Sequence, residues 1–395
     1  MALSRGHCAG IRLVTQKQQQ VQQRYLVFVQ VGQISQVVVF GGIQGVYGGG
    51  QFVIQTGCLR QLTRVQGVGQ HIAADGFGVG QPHGVVHLGI GFQGIQLILG
   101  TETFCRDAWR FWEQVRDNPR LLGDFVWSGM DYLGEVGLGA WEYKDYAPDF
   151  AHGPGWISSG CGRVDLIGTP LGEALYTRVV FEQQAGPLMA VVPVNHTRDS
   201  HSPSAWKMSN ALPSWSWQGQ DGAPATVEVY SRGDTVELLL NDEPVARRKV
   251  SRTLCTVFHI TYHPGTLTAV ARDAQGRELG RHSLRSADDE TCLCLLPEQP
   301  APRPGGLWFL RLRYTDDQGI LKPLERGTVQ VTVQGGTLVG LGSACPYHPR
   351  GYRTEVTDTY YGEALAVVRA DGTDPATVTA QDDRHTMVVS VRPEE

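Results

Sequence analysis

Acidic residues are what the first quarter of this chain lacks. Of the 39 Asp and Glu side chains in the 395-residue sequence, one (Asp75) lies within residues 1–98, and no Glu and no Asn precedes Glu102. That absence leaves the segment without a glutamate for acid/base work and sets it apart from soluble domains, which carry about a quarter charged residues. No apolar run reaches the roughly 20 residues that a membrane-spanning helix needs. The N-terminus, MALSRGHCAGIRLV, has two basic residues but no sustained apolar core, so no signal peptide is expected and a cytoplasmic location is favoured. The eight cysteines, at 8, 58, 105, 161, 255, 292, 294 and 345, form no CxxC pair and no metal-ligand spacing. Cys292 and Cys294 are expected on one strand face as buried free thiols. With a net charge of -5 and a pI of about 6.2, nothing suggests a nucleic-acid or membrane-surface partner, and none is expected. Gly41-Gly42-Ile43-Gln44-Gly45 and Gly48-Gly49-Gly50 lack the Gly-Lys-Ser/Thr of a phosphate-binding loop.

Residues 1–98 are rich instead in Gln and Gly interleaved with Val and Ile: 18 Gln and 20 of the 49 Gly lie in the first 100 positions. Reading a GC-rich coding strand backwards turns Leu codons into Gln, Ala into Gly, and Asp into Val or Ile. Our hypothesis is that this segment is a wrong-strand or wrong-frame translation, or a rearranged fusion.

The chain changes character near Leu97. Leu97-Ile98-Leu99 is a short apolar run, and Phe104, Ala108, Phe111, Trp112 and Val115 then fall at helical spacing until Asn118-Pro119. Asp124-Phe125-Val126-Trp127 reads as a second buried strand. A strand–helix–strand unit of this length belongs to a parallel sheet, and in β/α barrels the strand C-terminal ends face the active site. Glu102 and Trp127 occupy two such ends. A carboxylate can attack an oxocarbenium-like carbon, and an indole offers an apolar face to a pyranose. Position alone leaves a second reading of Glu102 open, as an acid at a helix N-terminus.

Gly100–Phe104 (GTETF), Gly123–Glu135 (GDFVWSGMDYLGE) and Asp165-Leu166-Ile167-Gly168 resemble the end of the catalytic barrel in glycoside hydrolase family 2, in particular its bacterial β-galactosidases. The resemblance runs from about Leu99 to the C-terminus. It implies a retaining mechanism on a β-galactoside, with Glu102 as nucleophile and Trp127 lining the sugar site. Asp131 is either a sugar-hydroxyl ligand or a turn-stabilising acid. The family's acid/base, a Glu preceded by Asn upstream of the nucleophile, has no counterpart before Glu102. Its upstream divalent-metal ligands have none either, so no metal or cofactor is expected. The Asn-x-Lys by which related β-glucuronidases hold a substrate carboxylate is missing from residues 135–180, which points to a neutral sugar.

Downstream, Trp141, Tyr143 and Trp156 either border the sugar site or pack beneath a loop. Leu171, Leu175 and Val179 mark a last barrel helix. Trp206, Trp215 and Trp217 are read as anchors of a linker against the barrel, with a sugar platform as the alternative. Period-two strands recur at Thr226–Tyr230, Thr235–Leu240, Val257–Thr261 and Thr266–Ala271, then at Cys292–Leu296, Leu307–Leu310, Thr328–Val333, Ala364–Ala370 and Thr386–Val391. His348 is read as a solvated loop residue.

The expected protein is multidomain and mainly β. Residues 1–98 are atypical. Residues 99–183 form the terminal part of a (β/α)8 barrel. Residues 184–300 form a linker and an immunoglobulin-like β-sandwich, and 301–395 a second one. The expected chain is an incomplete β-galactosidase, inactive alone, with a homo-oligomer left open. The alternative is a non-catalytic carbohydrate-binding or subunit-contact module. Translation of the opposite strand and remaining frames upstream of codon 97 is expected to yield hydrolase-like sequence with an Asn-Glu segment; finding none in any frame refutes the mistranslation hypothesis.

Overall fold

The helical spacing after Glu102 predicts one helix between two short strands, and the structure, a computed structural model, contains that unit. It describes residues 102–393 apart from 142, 149–150, 201–203, 301–302 and 373–374. Upstream it describes five strands: β1 (Arg12–Val14), β2 (Tyr25–Val31), β3 (Ile34–Phe40), β4 (Val85–Gly89) and β5 (Gln96–Gly100). The glycine runs at 41–45 and 48–50 lie outside the described residues, as does most of the atypical 1–98 segment. The chain divides into two compact units, Met1–Trp127 and Ser128–Glu395.

In the first unit, β1, β2 and β3 form an antiparallel sheet in that order. β5 pairs antiparallel with β4 and parallel with β6 (Leu121–Gly123), Ile98 lying opposite Leu121. Between β5 and β6, a 3-10 turn at Cys105–Asp107 opens into helix α1 (Ala108–Asp117), which buries Ala108 and Trp112. Asn118 closes it, because Pro119 cannot continue a helix. One expectation is corrected. The second strand ends at Gly123, and Asp124–Trp127 is half-buried and not a strand; beyond Gly123 only Val126 pairs, in a parallel bridge with Thr103. Gly123 sits at φ 151° and the register shifts beside it, which breaks the ladder.

In the second unit, the described part of residues 128–171 contains no helix or strand, only isolated bridges such as Met130 with Val164 and Leu133 with Ser158. Helix α2 (Gly172–Val180) follows, with Tyr176, Val179 and Val180 fully buried; it packs on β7 (Leu188–Val191) and β8 (Pro224–Tyr230). β9 (Thr235–Leu240), β10 (Glu243–Lys249), β11 (Cys255–Thr261), β12 (Thr266–Arg272) and β13 (Glu278–Arg285) complete two sheets, ordered β11-β8-β7 and β10-β9-β12-β13. Val227 and Val229 of one sheet and Leu238 and Leu267 of the other share a single apolar core, each such side chain contributing about 1.5–3 kcal/mol on burial. The β9–β10 turn holds Asn241 and Asp242 at φ 51° and 67°, the hand that suits a two-residue hairpin. Trp215 and Trp217 belong to this core, so they anchor the connection to these sheets; the expected anchorage against a barrel is replaced, because both indoles are fully enclosed here.

β14 (Cys292–Pro297), β15 (Leu307–Thr315), β16 (Thr328–Gln334), β17 (Gly336–Gly342), β18 (Val356–Asp358), β19 (Glu363–Ala370), β20 (Ala376–Gln381) and β21 (Thr386–Val391) form a second pair of sheets, β14-β15-β19-β17 and β18-β16-β20-β21. Trp308, Leu310, Val331 and Val378 lie in their common core. β14 pairs with β15 and so belongs to this last pair of sheets, not to the preceding one with which its sequence position grouped it. Cys292 and Cys294 are free thiols, but half-buried where full burial was expected, since their side of the sheet faces away from the core. No described helix is long and apolar enough to cross a membrane.

Candidate functional site

Glu102 follows β5, and Trp127 follows the bridge that extends β6. The Thr103 amide donates to the Phe125 carbonyl at 3.0 Å, and Thr103 pairs in parallel with Val126. Thr103 is buried, and the alternation of extended chain turns its neighbour Glu102, which is half-buried, the other way. Glu102 and Trp127 thus flank the bridge, one residue before it on one segment and one residue after it on the other. A Cβ at Gly100 would lie 2.5 Å from the Asp124 carboxylate oxygen, so a larger residue there would displace that side chain. No side-chain cap is formed at the 3-10 turn or at α1, so nothing there engages Glu102 as a helix cap.

Asp131 belongs to the second compact unit. It is buried, its carboxylate accepts the Gly160 amide at 2.8 Å, and its own amide donates to Val164 at 2.9 Å. One carboxylate oxygen is therefore occupied in stapling two stretches of irregular chain. The aromatic residues proposed around the sugar site are largely interior. Tyr143 is stacked on His196 with centroids 3.8 Å apart and accepts a hydrogen bond from Asn210 at 2.7 Å. Trp156 packs with Ala140 and Ala147 and lies edge-on to His152. Trp141 and Trp206 are half-buried. His348, expected in solvent, is buried and stacked on Tyr352, and burial pushes its pKa down. Nothing in a single Tyr-His-Pro triplet signals that enclosure.

Sequence reasoning also missed a buried polar network behind Asp131. Glu173 of α2 accepts the amides of Met208 and Ser209, and Lys207 donates to the Gly160 carbonyl at 3.0 Å. Glu228 of β8 accepts from Ser209 and Tyr230, both at 2.7 Å. Burial pushes both glutamates up, while the Lys207 ammonium and the Arg163 guanidinium pull Glu173 back. Cys161, also buried, is raised to about 11 by desolvation and is inert as a nucleophile. Helical and strand periodicity hide these residues, since an acid on α2 or β8 reads as solvent-facing. Among the described residues, Asp288, Asp316 and Asp317 bring carboxylates within 4.8 Å of one another. The Asp316 carboxylate is already engaged by the amides of Asp288, Gln318 and Ile320.

Comparison with known proteins bears on this geometry. Residues 304–387 match the model of glycoside hydrolase family 2 C-terminal domain 5, and residues 222–280 match a domain of unknown function (DUF4982). A β-galactosidase of Bacteroides ovatus is 26% identical over 269 residues, covering 65% of this chain and 26% of that protein. The crystal structure of a glycosyl hydrolase family 2 member from Bacteroides cellulosilyticus superposes with a TM-score of 0.67 at 25% identity, over 76% of this chain and 39% of its own. The downstream part of this chain is a C-terminal portion of glycoside hydrolase family 2. A protein of Formosa agariphila named provisionally as a β-glucuronidase is 25% identical over 285 residues, 69% of this chain and 24% of its own length. The chain thus spans about a quarter of the curated family 2 relatives it matches.

For this family 2 portion, replacing Asp131 by Ala orphans the Gly160 amide, at a cost of about 1–3 kcal/mol. Hydrogen exchange of residues 158–164 is expected to accelerate correspondingly in Asp131→Ala and to stay near wild type in Asp131→Asn, which keeps the accepting oxygen. Unchanged exchange in Asp131→Ala would show that the staple holds nothing.

Proposed function

We propose that the chain is a glycoside hydrolase of the retaining β-galactosidase type. Glu102 is the nucleophile, Trp127 the platform for the apolar face of the sugar, and Asp131 an acceptor for a sugar hydroxyl. In this reading residues 99–183 are the end of a (β/α)8 barrel and the two pairs of sheets are immunoglobulin-like sandwiches. The observation that supports it is the parallel Thr103–Val126 bridge, with Glu102 one residue before it on one segment and Trp127 one residue after it on the other. The β-galactosidase name of the Bacteroides ovatus relative supports the sugar, as does the missing Asn-x-Lys.

The chemistry follows from the carboxylate. Glu102 attacks the anomeric carbon, the bond to the leaving oxygen breaks, and a covalent glycosyl ester forms. A retaining enzyme protonates the leaving oxygen with a second carboxyl about 5–5.5 Å away and later uses that group as a base for water. No Glu stands before Glu102 to fill the family's upstream position. Only an aglycone stable as an anion departs unaided, and the ester then persists. The same gap favours the second reading, a carbohydrate-binding or subunit-contact module without catalysis.

A dinitrophenyl β-galactoside separates the two. The hydrolase reading predicts release of about one equivalent of dinitrophenolate, a galactosyl adduct on the peptide bearing Glu102, and neither in Glu102→Gln. It predicts no turnover of mononitrophenyl or alkyl β-galactosides. Absence of any adduct overturns the nucleophile assignment; sustained turnover of an unactivated galactoside, abolished by Glu102→Gln, overturns the inactivity.

A further inference from the structure

The turn that follows the Asp131 staple is gripped by the last pair of sheets. Asp165 organises it: its carboxylate accepts the amides of Ile167 at 3.1 Å and Thr169 at 2.8 Å, while its own amide donates to the Thr169 carbonyl at 3.0 Å. Arg311 reaches this turn from β15. Its side chain is buried, and its guanidinium donates to the Ile167 carbonyl at 2.6 Å and to the Thr169 hydroxyl at 2.9 Å. The planar fork of arginine suits two such acceptors at once. Glu298 holds the other edge of the guanidinium. The Thr169 hydroxyl in turn donates to Glu363 of β19 at 3.0 Å, and Arg313 donates to the second oxygen of Glu363 at 2.6 Å. Glu363 is buried.

Asp131 is tied to the same turn. Its amide donates to Val164, the residue before Asp165, and Leu171 closes the hairpin by donating to Arg163. Tyr352, from the same last sheets, lies within electrostatic reach of both Asp131 and Asp165. Gly342 is glycine because a Cβ there would run into the Tyr352 ring.

We propose that Arg311 and Glu363 are positioning residues that form a proton-operated latch on residues 165–169, and that the latch sets the placement of Asp131. The charged groups acting on Asp165 are Glu363 and Arg311, Tyr352 lies within its electrostatic reach, and Arg313 and Glu298 are one contact further out. Burial, chiefly, and then the Glu363 charge push Asp165 up to about 7, against the pull of its two amide bonds and Arg311. A carboxyl raised on folding holds its proton more tightly in the folded turn than in the free chain. The local stability therefore falls as pH climbs from the ordinary Asp value of about 3.9 to about 7, and is level above. Ionised Asp165 opposes Glu363 across the Thr169 hydroxyl, and the grip loosens.

The placement of Asp131 matters to sugar binding only under the function proposed above, but the latch is read without any sugar. Hydrogen exchange of the full chain, corrected for intrinsic rates, is followed for residues 163–171 between pH 4 and 9. In wild type the local opening constant is expected to climb from about pH 4 to a plateau, with the midpoint (half the plateau value) near 7 and a total rise of at most about a thousandfold, the three-unit gap between the two pKa values. Glu363→Gln removes a negative neighbour and lowers the midpoint. Arg311→Met removes a positive one and raises it. Asp165→Asn keeps the accepting oxygen and flattens the response. Residues 128–135 and 158–162 are expected to follow the wild-type midpoint. A flat wild-type profile, or midpoints moving the same way in Glu363→Gln and Arg311→Met, overturns the latch, since simple loosening cannot give opposite shifts. Protection of 128–135 that ignores the midpoint overturns the link to Asp131. Failure to label Glu102 with a galactoside bears on the hydrolase reading alone.

Discussion

Buried backbone without regular structure must find its hydrogen bonds elsewhere, and that constraint shapes the second unit of this chain. Residues 128–171 form no strand or helix among those described, yet Gly160, Cys161, Gly162 and Arg163 are buried. An unpaired amide in such a place costs about 1–3 kcal/mol. The partners come from both pairs of sheets and their flanking loops. Lys207 and Asp131 hold Gly160 from two sides, Pro346 accepts the Ile157 amide, and the Gly155 carbonyl takes the His348 amide. Arg311 and Glu363 hold the turn at 165–169. The sheets thereby act as a scaffold for the loop as well as domains in their own right.

The same constraint explains where charge is buried. Glu173 and Glu228 are enclosed because each accepts hydrogen bonds that the connection between β7 and β8 cannot satisfy internally. Desolvation raises both, and Lys207 and Arg163 offset part of that cost for Glu173. The catalytic question stands apart. It rests on one carboxylate, Glu102, and on the absence of any Glu upstream of it.

How much of this was legible in the sequence depended on whether a residue obeys a period. β8, β9, β11, β12, β15, β16, β19 and β21 show alternation or apolar runs and were placed nearly where they lie. β10 and β13 escaped because both are edge strands of their sheet, and their residues, such as Arg247, Arg248 and Arg281, are mostly exposed. The β5–α1–β6 unit was readable from Phe104 to Val115 and from Pro119. The early end of β6 was not, since it depends on the backbone of Gly123. At the candidate site, Glu102 and Trp127 were visible through motif and position. Arg311 and Glu363 were not, because Thr169 and Glu363 meet from 194 positions apart and no local pattern encodes that meeting. Asp165-Leu166-Ile167-Gly168 did stand out as a motif, though it did not show what would grip it.

The central claim is that the last sheets hold the loop through specific side chains, and a double-mutant cycle between Arg311 and Thr169 tests it most directly. The 2.9 Å bond between them predicts that Arg311→Met and Thr169→Val, measured by the local opening free energy of residues 163–171, are coupled by about 1 kcal/mol or more. Strictly additive losses would contradict the account.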